Sequence, residues 1–149
     1  MHIVTIFAMM FGRRVIACNS EAGVHQGGRV TRTAIAPITT RFLIVKQSGT
    51  GLGIDLCGAT DKPIGFATDE ATDAGDTLNV VMGGSAETTQ KAIASVAVAA
   101  GDTLYTAVGG QVTNVPVAGC YLIGNSMQAG AIGDAIEIDP AGFGVPYKA

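Results

Sequence analysis

Three stretches constrain this chain more than any other feature. Ala74-Gly75-Asp76-Thr77-Leu78-Asn79-Val80, Ala100-Gly101-Asp102-Thr103-Leu104-Tyr105-Thr106 and Ile132-Gly133-Asp134-Ala135-Ile136-Glu137-Ile138 share one plan. Each sets Gly-Asp in a turn and then alternates residue types with a period of two. Glycine takes positive φ without strain, and aspartate can hydrogen-bond the backbone two residues on, so the pair opens a strand cleanly. The alternation then turns one face inward. The copies are too few and too unevenly spaced for a solenoid. They predict recurrent turn-plus-strand units within one barrel.

The rest of the chain adds strands to that plan. Arg41-Phe42-Leu43-Ile44-Val45-Lys46 predicts a strand closed by Ser48-Gly49-Thr50-Gly51, and Gly53 to Cys57 predicts another. Asp61-Lys62-Pro63 turns the chain into Ile64-Gly65-Phe66-Ala67-Thr68, and Gly109-Gly110 before Gln111-Val112-Thr113-Asn114-Val115 is a hairpin signal. Helix is scarce. Ala86 to Ala94, with Ser85 to cap and Glu87 near the positive end, is the best helical stretch. It competes with a strand over Lys91 to Val98, and the alternation there favours strand for the second half. The fold class expected is mainly β: a small barrel with an extended N-terminal arm.

Charge divides the chain. Up to Lys46 the basic residues are Arg13, Arg14, Arg29, Arg32, Arg41 and Lys46, and the only acid is Glu21. Beyond it Lys62, Lys91 and Lys148 face all the remaining carboxylates. The division proposed is a basic arm over residues 1–38, a body over 39–140 and a surface tail over 141–149. Charged residues make up only 14% of the chain, against roughly 25% in ordinary domains, while hydrophobic residues reach 48%. Such a surface is expected to be covered by partners, copies of the chain among them. The apolar start, Met1 to Phe11, is too short to span a bilayer. Arg13 and Arg14 follow it rather than precede it, the reverse of a signal peptide. It is expected to be a strand or packed arm, unless Met9 or Met10 is the true start.

Candidates for chemistry are weak. The two histidines, His2 and His25, both lie in the arm, away from the turns of the body, so a His-based triad would have to reach across. Cys18, Cys57 and Cys120 have no CxxC spacing, and a free thiol in an apolar run behaves as a small core residue. The carboxylates Asp61, Asp69, Glu70, Asp73 and Asp76 do not follow the order of a calcium loop. Ser48-Gly49-Thr50-Gly51-Leu52-Gly53 lacks the Gly-Lys-Ser/Thr ending of a phosphate-binding loop. The arginines of the arm are spread among Val, Ile and Ala, with few aromatics for base stacking, which disfavours nucleic acid. No catalytic residue, metal site or cofactor is expected.

The order of several motifs resembles phage capsid cement proteins. Arg41 to Lys46 is followed by Cys57-Gly58-Ala59-Thr60-Asp61-Lys62-Pro63-Ile64-Gly65-Phe66-Ala67. Val98-Ala99-Ala100-Gly101-Asp102-Thr103-Leu104-Tyr105 then precedes Gly109-Gly110-Gln111-Val112-Thr113. Cys120-Tyr121-Leu122-Ile123-Gly124 and Gly133-Asp134-Ala135-Ile136-Glu137-Ile138 look like the two closing strands. The resemblance implies a β-tulip-like body akin to lambda-type head decoration proteins. It implies a non-enzymatic virion protein on the outer capsid surface, a homotrimer bracing the major capsid protein. Residues 1–38 depart from the compact pattern. The arm is expected to cross to a neighbouring subunit or to add a strand to a sheet edge there. The capsid-binding candidates on it are Ile3, Thr5, Phe7, Arg13, Arg14, Arg29, Arg32, Ile35 and Ile38. Two other readings remain: a tail or connector component, and a cytoplasmic β-barrel ligand binder with a concave polar pocket.

Overall fold

The computed structural model describes residues 28–49, 51–86 and 88–149. The chain is mainly β, as expected. The strands are β1 (Arg29–Ala34), β2 (Ile44–Gln47), β3 (Gly53–Leu56), β4 (Gly65–Ala67), β5 (Thr77–Met82), β6 (Gln90–Ile93), β7 (Thr103–Thr106), β8 (Val112–Thr113), β9 (Leu122–Ser126) and β10 (Ala135–Asp139). The first five close into a barrel in the order β1-β3-β2-β4-β5, and the rest form a five-stranded sheet, β6-β10-β9-β7-β8. No described helix is long and apolar enough to cross a membrane.

The sheet repeats the barrel strand for strand. Replacing β1, β5, β4, β2 and β3 by β6, β10, β9, β7 and β8 reproduces its order. The registers follow. Thr33 pairs with Thr77 and Arg32 with Leu78, as Ile93 pairs with Ala135 and Ala92 with Ile136. Val45 pairs with Gly65, as Leu104 pairs with Gly124. The parallel pairing of Ala34 with Ile54 returns as a single bridge from Ala94 to Val112, which draws the sheet's two edges together. Single hydrogen bonds recur as well. Gly75 donates to the Ala34 carbonyl and Gly133 to that of Ala94, each at 2.8 Å. Phe42 donates to Ala67 and Gly101 to Ser126, each at 2.7 Å.

The repeat explains the uneven spacing of the Gly-Asp pairs, which belong to two units rather than one barrel. Gly75-Asp76 and Gly133-Asp134 are counterparts. Gly101-Asp102 instead matches Phe42-Leu43, and Phe42 is the one non-glycine residue of positive φ (68°) among those described. This moves a predicted boundary: Arg41-Phe42 turns, and β2 begins at Ile44. The aspartates also act differently from the expectation, because they reach back rather than forward. The Oδ2 atoms of Asp76, Asp102 and Asp134 accept from the N–H groups of Asp73, Ala99 and Ala131 at 2.9, 2.8 and 2.8 Å. Each carboxylate closes the turn behind it. Of the stretch Ala86 to Ala94, no described residue is helical; its second half is the strand favoured there, β6, and a short 3-10 turn at Gly83–Ser85 precedes it.

Two apolar clusters fill the units, and each borrows from the other. Val30, Ala34, Val45, Ile54, Leu78 and Val80 pack inside the barrel, joined by Ile93 from the sheet. Leu104, Val112, Ile123, Ile136 and Ile138 fill the sheet, joined by Ile44, Cys57 and Phe66 from the outer side of the barrel. The tail is tied down: Phe143 meets Phe66 at 5.2 Å between ring centroids, and Tyr147 meets Tyr105 at 5.3 Å. Phe143 would collide with any side chain on Gly83, where a Cβ would lie 2.3 Å from the ring.

Candidate functional site

The ionisable groups that meet in the described residues do structural work. The ammonium of Lys46 lies 2.6 Å from Asp61 Oδ2, which also accepts from the Gly58 N–H at 2.8 Å. The hydrogen bond from Lys46, with the Gly58 N–H behind it, holds the Asp61 carboxyl below the usual range; the same bond raises Lys46. Burial, with the Asp61 charge adding to it, pushes the Cys57 thiol up to about 12. That thiol donates to the Asp61 carbonyl at 3.2 Å. A thiol so placed is protonated at neutral pH and is a poor nucleophile. Cys120 is likewise buried and free. Among the described residues, no three His, Cys, Asp or Glu side chains converge as a metal site.

What the surface offers instead is apolar contact. Ile35 and Leu52 stand exposed on the barrel, and Val108, Val115 and Val117 on the sheet. The three valines border a hollow of about 310 Å³ with Ala59, Ala107 and Thr113. A second cavity, of about 360 Å³, opens between the units. Arg29, Phe42, Phe66, Gln90, Lys91 and Glu137 line it, with the Lys91 ammonium 5.7 Å from the Phe42 ring centroid.

The expected site residues divide into three groups. Ile3, Thr5, Phe7, Arg13 and Arg14 lie outside the described residues. Arg29, Arg32, Ile35 and Ile38 fold with the body rather than as an arm. Arg29 and Arg32 belong to β1, which pairs along Arg29 to Thr33 with β5 and at Thr33 and Ala34 with β3 of the same chain. Ile38 is fully buried and bridges Ala71. Arg32 alternates with Val30 and Ala34 and pairs with the buried Leu78, which puts it on the inner face of the barrel. Its Nε is buried and has no hydrogen-bond partner among the described residues. Ile35 alone keeps an exposed apolar side chain, and Leu52 lies beside it. Sequence reasoning passed over Leu52 because it sits among the glycines of a turn. A large apolar residue in such a turn was the available signal.

No protein-family model matches the chain, and no curated protein does. Among solved structures, the chain is similar to the head fiber gp8.5 N base of bacteriophage phi29. The TM-score is 0.59 with 19% identity, over 74% of this chain and 90% of that one. The likeness is one of fold. It spans both units, since neither alone makes up so much of the chain.

Proposed function

We propose that this chain is a structural protein of a phage virion. It sits on the outer capsid surface and stabilises the shell by bridging subunits of the major capsid protein. The observation that carries this reading is the fold shared with the head fiber base of phage phi29 over most of both chains. The physical character of the surface supports it. Charge is scarce at 14%, and the exposed large apolar residues sit on strand ends and turns rather than around a reactive group. Contacts that are modest one at a time become strong when symmetry repeats them and several engage together. A trimer, with one barrel-and-sheet body per copy, multiplies them further. The closed barrel makes a rigid foot for such contacts.

The test is uptake by shells. Purified capsids of the phage that encodes the chain, mixed with it and imaged by electron microscopy, should gain density at repeating outer sites. They should also resist heating better than bare shells. Capsids that take up none of it, and melt as before, overturn the reading. Deleting residues 1–27 tests the arm without touching β1; on this reading the body still folds and occupies capsids less fully.

A further inference from the structure

The repeat reveals a face that one unit covers and the other leaves open. In the sheet, the outer side of β6 and the turn ending at Gly110 press on the barrel. Ile93 joins the barrel's apolar cluster, and the Gly110 N–H donates to the Cys57 carbonyl at 2.7 Å. The approach is close enough that a Cβ on Gly110 would lie 2.6 Å from the Ile44 carbonyl oxygen. On the barrel the counterpart of Ile93 is Thr33, and that of Gly110 is Leu52. Thr33 donates to the Leu52 carbonyl at 3.0 Å, so these two belong to one patch. Ile35 completes it, its Cγ2 close over Gly53. Among the described residues the patch is open: Ile35 is 48% exposed and Leu52 58%.

Its rim is acidic. The turn carrying Asp73 and Asp76 is pinned beside Ile35, with Gly75 donating to the Ala34 carbonyl at 2.8 Å and Ala34 to that of Asp76 at 2.9 Å. The ion pairs among the described residues are Arg41–Glu70 and Lys46–Asp61, so neither rim aspartate is paired with a cation there. A second copy stacked in the same head-to-tail manner is a poor occupant. It would have to present the sheet's counterpart of the row Ile44–Phe66–Val81. That counterpart is Thr103–Asn125–Asp139, polar and exposed. Burying it against Leu52 would strand polar groups.

We propose that the Ile35–Leu52 face of the barrel docks a shell subunit through a β-sheet surface that is apolar at its centre and edged with Lys or Arg. The interface between the two units of this chain, carried onto the barrel by the repeat, supplies the apolar part. Asp73 and the turn-closing Asp76, neither paired with a cation among the described residues, supply the complementary rim. This inference rests on the capsid reading and names the surface that serves it.

The experiment compares wild-type chain, Leu52→Asp and Asp73→Lys for occupancy on purified capsids, with thermal melting and sedimentation of each free protein. Leu52→Asp should lower the affinity at least about tenfold, and Asp73→Lys about threefold, with melting unchanged. The Asp73 effect should shrink at high salt. Leu52→Asp binding as well as wild type overturns the inference and leaves the capsid reading standing. Sedimentation showing that Leu52→Asp breaks a self-assembled oligomer overturns it too, since the face would then be filled by a second copy. Wild-type chain that fails to bind capsids removes the capsid reading, and this inference with it.

Discussion

The barrel and the sheet hold the same strand plan and use its outer faces in opposite ways. Across the barrel run Ile44, Phe66 and Val81, all buried, and the sheet packs over that side. At the same places in the sheet run Thr103, Asn125 and Asp139, all exposed, with the Thr103 hydroxyl 3.3 Å from Asn125 Oδ1. What stays constant between the units lies at turns and close approaches. A Cβ on Gly65 would lie 2.2 Å from the Val81 carbonyl oxygen, and one on Gly124 2.0 Å from that of Asp139. A side chain at either place would force neighbouring strands apart. The fold is thus held by backbone contacts that recur, while the outer row is free to become a joint in one unit and a wet end in the other. A polar terminal face is how a stacked array stops.

The largest effect expected from this contrast is at Phe66. Phe66→Ala should cost about 3–5 kcal/mol in chemical denaturation, as for a large aromatic removed from a packed core. Asn125→Ala, at the matching place, should stay within about 0.5 kcal/mol. Equal costs would mean that the two outer rows carry the same load. Because Ile93 lies in one cluster and Phe66 in the other, the loss should appear as one shifted transition rather than two.

Much of the fold was legible, and the illegible part has a definite cause. The strand pattern and the Gly-Asp turns identified β5, β7 and β10 at once. The duplication stayed hidden because the units share positions rather than residues: Phe42 answers to Gly101, Arg32 to Ala92 and Phe66 to Asn125. Nor does local alternation tell whether β1 pairs within its own chain or with a neighbour, since both leave the same period of two. That is why Arg29 to Ile38 read as an arm. Of the surface candidates, Ile35 was visible in the sequence and remains exposed, whereas Ile38 proved to be core. Whether an isoleucine near a turn faces in or out depends on the strand that crosses it, and that partner is distant in the chain.

The turn before β2 and its counterpart before β7 differ in which residue holds a left-handed backbone. Phe42 holds φ at 68° and Gly101 at 89°. Gly101→Ala should cost about 1–2 kcal/mol, since a Cβ is disfavoured there whatever the space. Phe42→Gly should cost less than ordinary removal of a half-buried ring, because relief of the left-handed backbone offsets part of the lost packing. Urea denaturation of both variants decides it. A full loss of about 3 kcal/mol or more at Phe42 would show that the backbone there is under no strain.

Arg32 and Ala92 give a smaller contrast of opposite sign. The sheet fills this inner position with a fully buried alanine, whereas the barrel places an arginine there whose Nε lacks a partner among the described residues. Arg32→Met keeps an unbranched stem of similar reach and removes the unsatisfied donor. The free protein should gain about 1 kcal/mol by thermal denaturation. A loss instead would mean that the guanidinium finds a partner whose contribution exceeds its desolvation.

The least costly test separates the units by how each lowers a carboxylate. In the barrel, Asp61 is lowered first by the hydrogen bond from the charged Lys46 and next by the Gly58 N–H. In the sheet, Asp102 is lowered by neutral donors, the Ala99 N–H first and the Asn114 amide second, at 2.8 and 2.7 Å. Both lie below the ordinary 3.8 when folded, so each contributes stability above that value and loses it as pH falls through its own folded value. Salt distinguishes them. At about 1 M the screening length shrinks to about 3 Å, which weakens the half-buried Lys46–Asp61 pair and leaves neutral hydrogen bonds nearly untouched. Carboxyl titration followed by NMR should therefore show Asp61 climbing part of the way in high salt, the Gly58 N–H still holding it, while Asp102 keeps its place. Asp102→Asn should flatten the acid limb of the stability profile equally at low and high salt. If the two carboxylates drift together, the neutral donors do not hold Asp102, and the turn before β7 depends on charge after all.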